Sequence, residues 1–219
     1  MTDRKDNIFV YALIGCGYLF FCSAVPSVIA FRITGMAGVE ANNCYVPLAF
    51  LTGIIYVWMV FSFMKEKMEL TGNITWKGAA EAFVTAAVLF LVINFVVSPF
   101  VSLLFPSSAQ NYDASVTDMM TTPVITFFQV AFAAPLFEEL IFRGLIMKRA
   151  LRKWSYAFAV MMPALLFGIL HMSFVQGISA AAAGIVLCLF YGRRRSVGLN
   201  ILAHGLYNGM VFGLSLFIY

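Results

Sequence analysis

The sequence is short of charge. Only 11% of its 219 residues are Asp, Glu, Lys or Arg, while 62% are hydrophobic and the mean hydropathy is +0.92. A soluble domain carries roughly 25% charged residues, so a soluble domain of any size is excluded. Histidine is scarcer still, at two residues, and there is no HExxH run to form the helical zinc site of that motif. The four cysteines, Cys16, Cys22, Cys44 and Cys188, show no CxxC or CxxxC spacing. Three of them lie in apolar runs and read as small buried hydrophobes, not as metal ligands or a disulfide framework. No internal repeat is present. The net charge of +4 is no nucleic-acid signal, because the basic residues sit in short turns between apolar runs.

Those runs dominate the chain. They cover 8–31, 45–64, 78–105, 123–147, 154–171, 176–191 and 197–219. The expected fold is all-α, a polytopic membrane helical bundle of about seven transmembrane helices, forming one membrane-embedded domain over 1–219. The first run is long for a signal peptide and lacks a small-x-small cleavage site, so it is read as a retained span. Cys22 is not in a lipobox. Pro99 predicts a kink in the third run, and Pro163 lies inside the fifth. The segment 106–122 holds Asp113 and Asp118 but no Lys or Arg, and is predicted to be a polar loop. A re-entrant or interfacial segment between residues 144 and 156 is left open. Asn73-Ile74-Thr75 matches a glycosylation sequon, which is a weak pattern.

Seven spans give alternating sides, and the charges obey them. One side collects Arg4 and Lys5, then Lys65, Lys67 and Lys77, then Lys148, Arg149, Arg152 and Lys153, then Arg193, Arg194 and Arg195. Of the 14 basic residues, only Arg32 falls on the other side and Arg143 within a span. By the positive-inside rule the N-terminus is cytoplasmic and the C-terminus outside.

Against this background the run Pro135-Leu136-Phe137-Glu138-Glu139-Leu140-Ile141-Phe142-Arg143-Gly144 stands out. It puts two carboxylates and a guanidinium inside a membrane span, where each charge costs about 2.5–3.5 kcal/mol on insertion scales. On a helix Glu139 and Arg143 are four apart and can pair. Glu138 points about 100° away and has no local partner. A carboxylate so placed suits a general base; the alternative is that both Glu are structural. Both histidines also fall within or at the end of apolar runs. His171 closes Phe167-x-x-x-His171, and His204 shares a face with Asn208. So many buried polar groups are expected to converge and satisfy one another. Counted along ideal helices, Glu138 lies about 15 Å from Lys148 and His204 about 12 Å from the arginine turn, so the site is expected nearer the cytoplasmic side; His171, about 24 Å from Trp154, fits that depth poorly.

Glu138-Glu139-x-x-x-Arg143, Phe167-x-x-x-His171 and His204-x-x-x-Asn208, in that order, resemble the three-motif signature of the CPBP family of intramembrane proteases. This is the CAAX-processing and bacteriocin-processing family, also called Abi. The resemblance covers 123–211; the first three spans match only as generic hydrophobic helices. It implies an endopeptidase acting on a membrane-associated, lipidated or secreted-peptide precursor, in a multi-pass protein of a bacterial cell membrane. Its partners would be a peptide or membrane-protein substrate and the lipid bilayer, not nucleic acid. Carried over by position, Glu138 would activate water. His171, His204 and Asn208 would position that water and stabilise the oxyanion, and Arg143 would hold Glu139. The family is often labelled metalloprotease, and two chemistries are open. In one, Glu138, His171 and His204 hold a Zn²⁺ whose water attacks. In the other, which is favoured, there is no cofactor and Glu138 deprotonates water directly. Two readings compete with a protease: a non-catalytic membrane binding or immunity protein that keeps the fold, and a small transporter with a proton relay.

Overall fold

The computed structural model describes residues 6–70 and 74–218, apart from the side chain of Val39. Arg4, Lys5, Asn73 of the sequon and Tyr219 lie outside the described residues. Within them every regular element is helical. Six helices are long and apolar enough to cross a membrane: α1 Ile8–Thr34, α2 Asn42–Met64, α3 Trp76–Leu104, α5 Pro123–Lys153, α7 Phe174–Arg194 and α8 Val197–Ile218. The shorter apolar α6, Tyr156–Ile169, occupies the place of the fifth expected span, 154–171. The protein is a multi-pass helical membrane bundle.

The segment 106–122 corrects the expectation of a loop. It forms a further helix, α4, Pro106–Met120. Two prolines delimit it. A residue before proline is driven out of the α region by the pyrrolidine ring. Phe105 (φ −130°, ψ 64°) and Thr122 (φ −128°, ψ 62°) both show this, so the chain breaks twice. Pro106 then opens α4 at a position where a missing N–H costs nothing. The polar composition concealed the helix because a helix with no buried residue needs no apolar stripe.

Prolines inside the spans act differently. Pro26, Pro99 and Pro135 each follow a widened π-turn: Phe20–Ala24, Ile93–Val97 and Gln129–Ala133. A helical proline ring crowds the carbonyl four residues back, and a π-turn makes room for it. The predicted kink at Pro99 is such a turn.

α5 is the centre. All eight residues of its second π-segment, Leu140–Met147, are buried. α1, α2 and α6 close on it through a core that includes Tyr11, Tyr56, Phe137, Phe142 and Phe167. A second core joins α3, α7 and α8 through Leu89, Leu187 and Leu199. Small residues set the closest approaches. A Cβ on Gly168 would stand 2.5 Å from the Gly177 carbonyl, and one on Gly205 would stand 2.6 Å from that of Ala131. Close backbone contact of this kind is what packs helices in lipid. Large apolar side chains such as Phe9, Trp58, Leu103 and Phe217 face outwards.

Ion pairs tie the basic segments to one face. Asp6 Oδ1 accepts from Arg149 Nε at 2.6 Å, Glu66 receives Lys148 (3.1 Å), Arg149 (3.2 Å) and Arg152 (2.5 Å), and Glu81 receives Arg193 (3.4 Å) and Arg194. Burial alone would push the Glu66 carboxyl up, but hydrogen bonds from Arg152 and Lys148 outweigh it and hold the pKa at about 2. At the other face α4 is tethered at both ends. Ser108 bonds Ser173 (3.1 Å), and Met119 O accepts from Thr126 (2.9 Å). The alternation of charge read from the sequence therefore matches the three-dimensional grouping.

Candidate active site

Glu139, on α5, is the hub. Its side chain is sealed, as is that of Arg143. Oε1 accepts from Arg143 Nη1 at 2.8 Å and lies 2.8 Å from His204 Nδ1; Oε2 accepts from Asn200 Nδ2 at 3.2 Å. The expected Glu139–Arg143 pair is thus present. Arg143 Nη2 also donates to the Gly184 carbonyl (3.1 Å), and the guanidinium lies over the Phe167 ring at 5.2 Å. Arg143 Nε and Asn200 Oδ1 have no hydrogen-bond partner among the described residues. A carboxylate accepts only, so His204 Nδ1 carries a proton and the ring is fixed in orientation. Asn200 is held further by donating to the Leu187 carbonyl at 2.8 Å.

Glu138 faces another way, as the helix angle requires. Its Oε1 accepts from Tyr18 Oη at 3.2 Å, 120 residues away on α1, while Oε2 lies 3.8 Å from His204 Nε2. His204 therefore stands between the two carboxylates, bonded to one and aimed at the other.

Glu138, His171, His204 and Asn208 all line one cavity of about 510 Å³. Asn208 Nδ2 donates to the Val130 carbonyl at 2.8 Å, inside the π-turn that precedes Pro135. The local sequence of α5 thereby orients a side chain of α8. His171 is not within a helix. It lies just past the end of α6, where its Nδ1 donates to the Phe167 carbonyl at 2.8 Å. Phe167 packs edge-on against both imidazoles, with centroids at 4.8 Å from His171 and 5.9 Å from His204. So Glu138, Glu139, Arg143 and His204 form one contact cluster, while His171 and Asn208 join them as cavity wall.

The cavity bears on two expectations. It is not confined to the basic side. Glu138 is midway along α5, and the cavity extends to the opposite face, under Asn111, Ser115 and Met119 of α4. Counting from Lys148 took no account of the space left beneath a helix that buries nothing. His171 fitted the depth poorly because it belongs to the far mouth of this cavity. The second is the favoured absence of a cofactor, with Zn²⁺ as the alternative. Among the described residues no three His, Cys, Asp or Glu side chains are grouped to hold a metal ion, so Glu138, His171 and His204 do not fit one as they stand.

Sequence reasoning missed two residues. Asn200 is four residues before His204, so the strip 200, 204, 208 on one helix face was a usable signal. Tyr18 gave none, being one tyrosine in an apolar run.

Comparison with known proteins bears on the same segment. Residues 120–210 match the family model described as "Type II CAAX prenyl endopeptidase Rce1-like". Over 97 residues the chain is 25% identical to "Putative membrane peptidase YdiL" of Bacillus subtilis (strain 168). That alignment spans 44% of this chain and 40% of the relative, so the chain covers less than half of that protein's length. No solved structure matches significantly. The resemblance to CAAX-type membrane proteases drawn from the three motifs is supported, and every site residue from Glu138 to Asn208 lies within the matched region.

Proposed function

We propose that the protein is an intramembrane endopeptidase that hydrolyses a peptide bond with water activated by Glu138, without a metal. The observation that carries this reading is the 3.8 Å separation of Glu138 Oε2 and His204 Nε2 at the wall of the cavity. It is too long for a direct hydrogen bond and suits two groups that share a bridging water. In the proposed reaction Glu138 takes a proton as the water oxygen attacks the substrate carbonyl. His204 Nε2 and Asn208 face the developing oxyanion and stabilise it. When the tetrahedral intermediate collapses, the C–N bond breaks and Glu138 returns its proton to the leaving amine.

Glu139 and Arg143 are positioning residues in this scheme, acting through His204. Tyr18 holds Glu138 Oε1 and leaves Oε2 as the basic atom. The substrate is a peptide or a membrane-protein segment, in keeping with the matched family. The orientation follows the basic face, with the N-terminus cytoplasmic in a bacterial cell membrane.

The test is cleavage of a peptide panel by purified protein in lipid nanodiscs, for wild type and Glu138→Gln, with and without a strong chelator. Cleavage that requires Glu138 and ignores the chelator is expected. Cleavage abolished by chelation and restored by Zn²⁺ would overturn the mechanism but not the class. No cleavage of any peptide would favour a binding protein.

A further inference from the structure

The cavity is roofed by a helix with little to hold it down. α4 has no buried residue, yet its Asn111, Tyr112, Ser115 and Val116 line the cavity. An element with so little apolar burial belongs to the low-stability end of a structure, from which lids are drawn. The chain on either side is built to bend. Phe105 and Thr122 leave the helical region just before Pro106 and Pro123, so α4 meets α3 and α5 through a broken residue at each end. The arms that carry it each begin or end at a π-turn, Ile93–Val97 in α3 and Gln129–Ala133 in α5, and such turns are where helices kink. The end nearest His171 is fastened by side-chain hydroxyls. Ser108 Oγ bonds Ser173 Oγ at 3.1 Å and accepts from the Val175 N–H at 3.3 Å. Phe105 stacks on Phe174, with ring centroids 5.0 Å apart. Ser173 also lines the cavity, two residues from His171. Hydrogen bonds between neutral groups are weak enough to open and re-form.

We propose that α4 is a lid on the cavity, latched by Ser108 on Ser173, which opens to admit substrate and closes before the peptide bond is attacked. The inference rests on the peptidase reading above and adds a conformational step to it. Closed, α4 shields Glu138 and His204 from bulk water. Open, it gives a polar peptide a way in that does not cross lipid. Asn111, Ser115 and Met119 are exposed while lining the cavity, so the lid already has one face in each environment.

The experiment locks the latch. Ser108→Cys with Ser173→Cys is made in the whole protein in nanodiscs and oxidised with copper phenanthroline or reduced with dithiothreitol. The two single variants run beside it and report any effect of the oxidant on the four native cysteines. The cross-link is verified by mass spectrometry. Two rates are measured: cleavage of the peptide panel, and carbethoxylation of His204 by diethyl pyrocarbonate. The second needs access to the cavity but no catalysis. Cross-linking is expected to slow both by about tenfold or more, because each then lacks the open state it draws on. Reduction should restore both, and the single variants should respond to neither treatment. Ser108→Ala unfastens the latch without a cross-link, and is expected to speed His204 modification about fivefold, the worth of one ordinary hydrogen bond. Unchanged His204 modification in the cross-linked protein would overturn the lid. Should the cross-link not form, an unchanged rate in Ser108→Ala would do the same. Modification that slows on cross-linking, with no peptide cleaved by the wild type, would keep the lid and overturn the peptidase reading.

Discussion

Two clusters of carboxylates and cations sit about three turns apart along α5, and they are built oppositely. At the basic face Glu66 is met by Lys148, Arg149 and Arg152, three cations around one carboxylate. At mid-membrane two glutamates share one guanidinium, and that goes entirely to Glu139. Glu138 is left with a tyrosine hydroxyl and an imidazole at 3.8 Å. Surplus cations staple helix ends together. With one guanidinium for two glutamates, Glu138 is left facing the cavity without a guanidinium of its own. The same residue types thus give a clamp at one depth and a candidate base at another.

The sharpest way to break the contrast is to remove the base. Glu138→Gln keeps the Tyr18 contact and the shape, and should lower peptidase kcat by about a thousandfold with unchanged thermal melting in detergent. Equal loss of melting temperature would place Glu138 with the clamp.

Next in size is Arg143→Ala. It leaves Glu139 as an unpaired charge in a sealed site, at a cost of about 3–5 kcal/mol, read as a large drop in melting temperature or failure to accumulate in the membrane. Should Arg143→Ala melt like the wild type yet be inactive, Arg143 would act in the chemistry and not as a holder. The double change of Glu139→Gln with Arg143→Met should recover much of the stability but not the activity.

Tyr18→Phe sharpens the comparison at the level of one hydrogen bond. A hydrogen bond to a charged group contributes about 1.5–3 kcal/mol. Losing it should cut kcat about tenfold at unchanged KM, since the aim of Oε2 is lost, and lower the melting temperature modestly. A change confined to KM would make Tyr18 a substrate contact.

The smallest effect belongs to the clamp. The Glu66 carboxyl is held at about 2, against 4.5 for the free group, so its contribution to stability is full above pH 4.5 and is lost as pH falls towards 2. The wild-type melting temperature should therefore decline across that window. Glu66→Gln should start lower by about 1 kcal/mol or less and show a shallower acid slope. Activity per folded molecule should not change.

Much of this was legible in the chain, for a physical reason that differs by feature. Spans are legible because lipid demands local satisfaction of every backbone group, which makes hydropathy a local code. The clustering of the basic turns was legible because it is a local charge count. Glu139 and Arg143 paired as read because four residues apart is a local distance on a helix. The failures share a cause too. α4 was hidden because a helix that buries nothing writes no stripe. Tyr18 was hidden because its partner is 120 residues away.

By itself the sequence determined a polytopic helical membrane protein and the three polar motifs, since each rests on neighbours within a few residues. Only the tertiary structure decided that His204 stands between the two glutamates and that Glu138 is aimed by Tyr18. It alone placed His171 at a cavity mouth on the side away from the basic turns. Those arrangements depend on how α1, α4, α5, α6 and α8 pack against one another. That packing is set by glycine contacts, proline-induced π-turns and buried hydrogen bonds between residues far apart in the chain.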